Sequence, residues 1–252
     1  MTRTIAIVQA RMGSTRLPGK VLADLAGRPL LGHLLERVRR SNVDEIVVAT
    51  TTLPADDMLA DWVDHSGLAS IYRGSTDDVL ERYYHAAMAH QADVIVRVTA
   101  DDPLKDAQII NHALALLQDG RVYDYCSNTL VPSYPEGLDI EVFTLAALSA
   151  AHLHAQLPSE REHVTPYIWK HPEIFRLYNF SHEKNLSAWR WTVDKPADLE
   201  FMRAVFSGMR DNPAMAYRDV ISYLEQHPEI QEINQGTVRN EGYARSLAEE
   251  KP

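Results

Sequence analysis

Four stretches of the chain hold residues whose types and spacing could do chemistry. The first is "VQARMGSTRLPGKVL". Arg11, Arg16 and Lys20 fall within ten residues there, with Gly13 and Gly19 among them, directly after the apolar run Ile5–Val8. Cations beside exposed backbone N–H groups form an anion site, and phosphate oxygens suit it best. A solvated basic turn accounts for the same residue types. Two familiar phosphate loops do not fit: there is no G-x-G, and Gly13 and Gly19 are one residue too far apart for G-x-x-x-x-G-K, with Val21 after Lys20 instead of Ser or Thr.

Carboxylates supply the second and third stretches. In "VIVRVTADDPLKD", Asp101 and Asp102 follow an apolar run. In "WRWTVDKPADLEFM", Asp194 stands just before a helical pattern that opens at Pro196, with Asp198 in its first turn. Hard oxygen ligands at a strand end, facing a phosphate loop, suit Mg²⁺. Helix capping and dipole pairing are the competing roles, strongest for Asp198 and Asp106. The fourth stretch, "YRGSTDDVLERY", places Ser75, Thr76, Asp77 and Asp78 at a helix start, which capping alone explains. His163 beside Glu162 is not read as a metal pair, because adjacent helical residues do not share a face.

The elements that must position these groups alternate along the chain. Thr4–Val8, Glu45–Thr50, Ser70–Arg73 and Val94–Val98 read as strands, and "RPLLGHLLERVRRS", Asp56–Ser66, Asp77–His90 and Asp106–Gln118 as helices. Such alternation predicts a mostly parallel, twisted sheet covered on both faces, with ligands bound beyond the carboxyl ends of its strands. The basic loop lies at such an end. Residues 122–165 break the pattern with Pro132, Pro135 and Gly137, and read as a β excursion or an arm. A short helix in "SEREHVTPYIWKHPEIF" overlaps its end, followed by strands in "EIFRLYNF" and "AWRWTV", a helix in "KPADLEFMRAVFSGM" and another at Tyr217–Gln226. The tail, about 212–252, ends polar. Trp189 and Trp191 read as core.

Composition narrows the classes. The 252 residues are 45% apolar and 24% charged, which suits one domain spanning 1–252 with a core large enough to need no disulfide. The single Cys126 cannot form an intrachain bridge, and no apolar run reaches transmembrane length or resembles a leader, so the expectation is a cytoplasmic protein with no membrane partner. A net charge of −10 argues against a nucleic-acid partner and makes the first loop a local basic cluster on an acidic protein.

The motifs "QARMGSTRLPGKVL", "RGSTDDVLERY", "VRVTADDPL", "GLDIEVF", "EHVTPYI", "RWTVDKPADL" and "NEGYARSL" occur in an order that resembles the acidic-sugar cytidylyltransferases. That group includes the acylneuraminate and 3-deoxy-manno-octulosonate enzymes. The variant is most similar to the spore coat polysaccharide biosynthesis protein F subgroup. The resemblance implies a three-layer α/β/α fold of the nucleotide-diphospho-sugar transferase type. It also implies transfer of CMP from CTP to an acidic sugar or related acceptor in cell-surface or spore-coat polysaccharide synthesis, with release of pyrophosphate. It makes Arg16 and Lys20 catalytic, Asp101 and Asp194 ligands of Mg²⁺, and Ala10, Arg11, Gly13, Ser14, Lys20, Arg73, Gly74 and Ser75 contacts of the nucleotide. Asp139, Glu141 and His163 become acceptor-side candidates. A homodimer is expected through the aromatic segment Tyr123–Leu148. Asp102 and Lys105 depart from the subgroup's usual pattern. A nucleotide-sugar-dependent glycosyltransferase and a non-enzymatic nucleotide-binding protein are the alternatives; the first lacks its D-x-D in "TADDP", and the second needs no carboxylate pair.

Overall fold

The computed structural model describes residues 2–118, 123–212 and 214–250. The strands are β1 (Thr4–Gln9), β2 (Asp24–Leu25), β3 (Arg28–Pro29), β4 (Glu45–Thr51), β5 (Ser70–Gly74), β6 (Val94–Thr99), β7 (Tyr125–Ser127), β8 (Glu141–Thr144) and β9 (Leu177–Asn179). Seven of them form one sheet in the order β5-β4-β1-β6-β8-β7-β9, while β2 and β3 pair as a minimal hairpin. β5, β4, β1 and β6 run parallel; β8 is antiparallel to both β6 and β7. The result is a mixed α/β fold with a mostly parallel sheet and helices on both faces, as the alternation predicts.

Alternation of side chains decides which face each residue serves. Ala6, Val8, Val48, Val96 and Val98 pack under the helices Leu30–Val38 and Ala107–Gln118. Ile5, Ile7, Val47, Ala49 and Ile95 pack against Val79–Ala89 and Leu145–His154 on the other side. Both faces are dry, so β1 and β4 read as continuous apolar runs and not as alternating ones.

Three expectations need correction. "AWRWTV" is not a strand: Arg190 makes one isolated bridge to Glu136, after which the Val193 N–H turns to the Asp101 carbonyl at 2.9 Å. The expected single short helix is two, Pro158–His163 and Pro166–Lys170, split where Val164 adopts a positive φ of 72° before Thr165 and Pro166. The polar end of the tail contains a further helix, Glu241–Glu249.

The middle excursion does not leave the body as an arm; its strands β7 and β8 complete the main sheet. Its expected first residue, 122, lies outside the described residues. Of the four aromatics that carry the expectation of a subunit interface, Tyr125 and Phe143 are fully buried in this chain's own core, Tyr134 is nearly so, and Tyr123 is half-buried against it. These aromatics therefore no longer argue for an interface.

Candidate active site

The basic loop starts where β1 ends. Its backbone folds back on Met12, whose carbonyl accepts the N–H groups of Ser14 at 2.9 Å and Gly19 at 3.0 Å. Gly19 takes a left-handed φ of 71°, which leads directly into the 3-10 turn Lys20–Leu22. The loop thus presents Lys20 from a fixed backbone. Met12 N–H is itself tied to Asp56 Oδ1 at 2.6 Å, while those of Thr15 and Arg16 donate to no described group.

Lys20 is buried. Its ammonium donates to Asp101 Oδ2 at 2.7 Å, to Asp194 Oδ1 at 2.8 Å and to the Val193 carbonyl at 2.8 Å. Burial alone would lower its pKa; the two carboxylates outweigh that and hold it above the ordinary 10.5. Asp101 is the reciprocal case. Burial pushes its carboxyl up, but the Lys20 ammonium and a Thr99 hydrogen bond hold it below the ordinary 3.8. The three residues come from the first loop, the end of β6 and the segment before helix Pro196–Gly208, so the fold joins the sequence stretches that chemistry had singled out.

Around this triad the charges continue. Arg16 pairs with Asp194 Oδ1 at 2.7 Å and with Glu241 at 2.9 Å. Arg190 reaches Asp194 Oδ2 at 3.0 Å, Glu136 at 2.7 Å and Asp198 at 2.9 Å. Asp198 has the expected capping role: one oxygen accepts the N–H groups of Asp194 and Lys195, each at 2.9 Å. It fixes the turn that carries Asp194.

A cavity of about 810 Å³ opens over the carboxyl ends of β1 and β6. Of the sequence candidates, Ala10, Arg11, Ser14, Arg16, Lys20, Asp101, Asp139, Glu141, His163 and Asp194 line it. Gly13, Arg73, Gly74 and Ser75 do not. Arg73 turns to the neighbouring strand, where it bonds the Thr51 and Leu53 carbonyls at 2.8 and 2.9 Å and pairs with Asp57 at 2.7 Å. Ser75 acts at one remove: its carbonyl accepts from Arg82 Nη1 at 2.5 Å, and Arg82 lines the cavity.

The acceptor-side candidates are heavily engaged. Glu141 Oε1 accepts from Tyr125 at 2.6 Å and Thr165 at 2.5 Å, while its other oxygen binds Arg97. Asp139 is paired with Arg239. His163 meets Ser246 Oγ at 2.9 Å; burial first, then the charge of Arg97, push its imidazole down to about 4. The two departures Asp102 and Lys105 pair with each other at 2.8 Å, and Lys105 also bonds the Asp139 carbonyl at 2.7 Å. Each makes sense only with the other present.

Sequence reasoning missed Arg82, Arg97 and the wall formed by Asn240, Glu241, Tyr243 and Arg245. Three side-chain atoms lack partners among the described residues at this cavity: Gln9 Oε1, Arg82 Nε and Arg97 Nε. Arg97 carried a readable signal, since a lone cation inside the apolar run "VIVRVT" demands a buried anion.

The donor set fits a metal of limited protein ligation. Among the described residues no group of three or more His, Cys, Asp or Glu converges. Asp101 and Asp194 instead flank one stand-in cation, the Lys20 ammonium. Two carboxylates with space beside them suit Mg²⁺, which usually completes its shell with water and phosphate.

The cytidylyltransferase family model matches residues 5–242. An uncharacterized protein of Methanocaldococcus jannaschii, MJ1063, is 36% identical over 96% of this chain and 98% of its own length. The spore coat polysaccharide biosynthesis protein SpsF of Bacillus subtilis is 32% identical over 91% and 97%. The solved structure of a cytidylyltransferase from Leptospira borgpetersenii superposes with a TM-score of 0.89, at 33% identity, over 95% of this chain and all of that one. A family model that spans residues 5–242 and a relative of 33% identity superposing over nearly the whole chain show that the protein belongs to the cytidylyltransferase family and is a nucleotidyltransferase.

Proposed function

We propose that this enzyme transfers CMP from CTP to an acidic sugar or related anionic acceptor and releases pyrophosphate, in the synthesis of a surface or spore-coat polysaccharide. One observation carries the reading: the basic loop and two carboxylates, Asp101 and Asp194, meet at Lys20 on the wall of one cavity. A triphosphate needs a cationic cradle, and its metal needs hard oxygens beside that cradle.

In this reading an anionic acceptor oxygen, either a phosphate or phosphonate oxygen or a hydroxyl that has already given its proton to solvent, attacks the α-phosphorus in line. The new P–O bond forms as the bond from the α-phosphorus to the bridging oxygen breaks, and pyrophosphate leaves with the electron pair. Arg11 and the N–H groups of Thr15 and Arg16 bind the β- and γ-phosphates. Lys20 and Arg16 stabilise charge developing on the leaving group. Asp101 and Asp194 would hold Mg²⁺, which supplies electrophilic stabilisation of the phosphates when bound. Arg97, held by Glu141, and His163 face the remaining volume, where the acceptor sits. Glu141 acts here by positioning, because both of its oxygens are already engaged.

The test is pyrophosphate release with each nucleoside triphosphate against acidic sugars, sugar phosphates and phosphonates. CTP with an anionic acceptor is expected to be the productive pair. Turnover with a neutral sugar and another nucleotide would overturn the assignment. A homodimer belongs to the same proposal, and a monomeric mass by light scattering at micromolar protein would remove it.

A further inference from the structure

We propose that Lys20 is a surrogate cation that couples metal to nucleotide: its ammonium holds the two carboxylates in the free enzyme and moves to the triphosphate when a divalent metal takes its place. The inference rests on the assignment of Asp101 and Asp194 to the metal.

An ammonium has three protons, and each has a partner: Asp101 Oδ2, Asp194 Oδ1 and the Val193 carbonyl, at 2.7 to 2.8 Å. Lys20 therefore has no donor left for a phosphate. Binding one means releasing at least one of these partners. Conversely, a metal between the carboxylates would meet an ammonium already there. With Lys20 retained, the group of one ammonium and two carboxylates would change from net −1 to net +1 on binding a divalent ion. Arg16 adds a further positive charge, 2.7 Å from the same Asp194 oxygen. The side chain of Lys20 is only 10% exposed, so expelling it without a new partner is also costly.

A triphosphate removes this conflict. It accepts the ammonium on the cavity side and frees both carboxylates. The exchange needs only side-chain torsions, because the Lys20 backbone is pinned on both sides: its N–H bonds the Leu17 carbonyl at 3.2 Å and its carbonyl accepts from Ala23 at 3.1 Å. Lys20 thus keeps the site assembled but weak for metal until nucleotide arrives. Reciprocity then makes the nucleotide weak without metal.

The experiment is Mn²⁺ binding to nucleotide-free protein, followed by the electron paramagnetic resonance signal of the free ion. Lys20→Met is expected to bind Mn²⁺ at least about tenfold more tightly than wild type, within the range of such couplings. Arg11→Met, which removes a cation lining the cavity but touching neither carboxylate, is expected to change it little. Adding Asp101→Asn to Lys20→Met should cancel the gain. If Lys20→Met does not fold, Lys20→Gln keeps an N–H donor without the charge and should show the same direction. Equal or weaker Mn²⁺ binding in the Lys20 variants overturns the surrogate-cation role. A gain that survives Asp101→Asn, or Mn²⁺–CTP binding untouched by Asp101→Asn in the wild-type background, overturns the metal assignment instead.

Discussion

Arg97 and Glu141 stand directly opposite each other across the antiparallel β6–β8 pair, each the only charged residue of its strand. The pair is nearly closed to solvent, with side chains 15% and 8% exposed. Glu141 is the centre of the arrangement, because it also accepts the hydroxyls of Tyr125 and Thr165. Removing one partner strands the other charge. Glu141→Leu and Arg97→Leu should each destabilise the protein by about 3–5 kcal/mol. The double variant should be more stable than the sum of the two by at least about 1 kcal/mol. Urea unfolding of all four proteins measures this. Additive losses would mean the pair is not coupled.

Much of the frame was legible because burial on both faces leaves an unmistakable trace: four apolar runs, each followed by a helical period. The observed strands β1, β4, β5 and β6 extend the expected ones by one residue each. "AWRWTV" misled because its alternating tryptophans meet the period of a strand, yet Trp191 and Trp189 pack around a turn with no ladder. Arg73 misled for another reason: nothing in "YRGST" says whether a guanidinium looks into a crevice or along the sheet. The helix Glu241–Glu249 was hidden by its polarity, since it is held by specific bonds (Arg16–Glu241, and Ser246 with Glu162 and His163) and has little apolar face to read. Asp101 and Asp194 were legible as residues, but their meeting at one ammonium is a property of topology alone.

Gly137 lies at the cavity with a φ of 104°, and a Cβ there would come within 2.6 Å of the Trp191 carbonyl carbon and oxygen. Neither the angle nor the contact can be relieved by a side-chain move. Gly137→Ala should cost roughly 1–3 kcal/mol or more, with the Glu136–Arg190 connection disturbed alongside. A thermal midpoint equal to wild type would show that the turn relaxes without penalty.

His163 should shape the acid limb of stability. Its imidazole is lowered from the ordinary 6.5 to about 4 in the fold, by burial first and then by Arg97. The native state keeps it neutral while the unfolded chain protonates below 6.5. Its contribution is therefore fully present above pH 6.5 and is lost as pH falls toward about 4. His163→Asn should flatten the curve over that window, gaining on the order of 1–2 kcal/mol relative to wild type at pH 5 compared with pH 8. His33 and His152 are lowered too and should leave a residual slope. Parallel urea-midpoint profiles for the two proteins would exclude His163 as the source.

The carboxylates of the triad should separate chemistry from stability. Asp101→Asn and Asp194→Asn keep shape and remove charge. In the proposed reaction each should cut Mg²⁺-dependent pyrophosphate release by roughly 10²-fold or more. The double variant should be little worse, because the two act as one unit. Asp198→Asn makes the contrast. Asp198 touches no part of the cavity; it caps the turn before Pro196–Gly208 and pairs with buried Arg190. It should lose about 1.5–3 kcal/mol of stability, the range for hydrogen bonds to charged groups, while the folded fraction retains most of its turnover. Burial opposes the low pKa of Asp198, and Arg190 prevails. Its stabilising share is accordingly present above the ordinary 3.8 and lost as pH falls below it. Full activity of either triad variant, or pyrophosphate release undiminished in excess EDTA, would return Asp101 and Asp194 to a purely structural role as partners of Lys20.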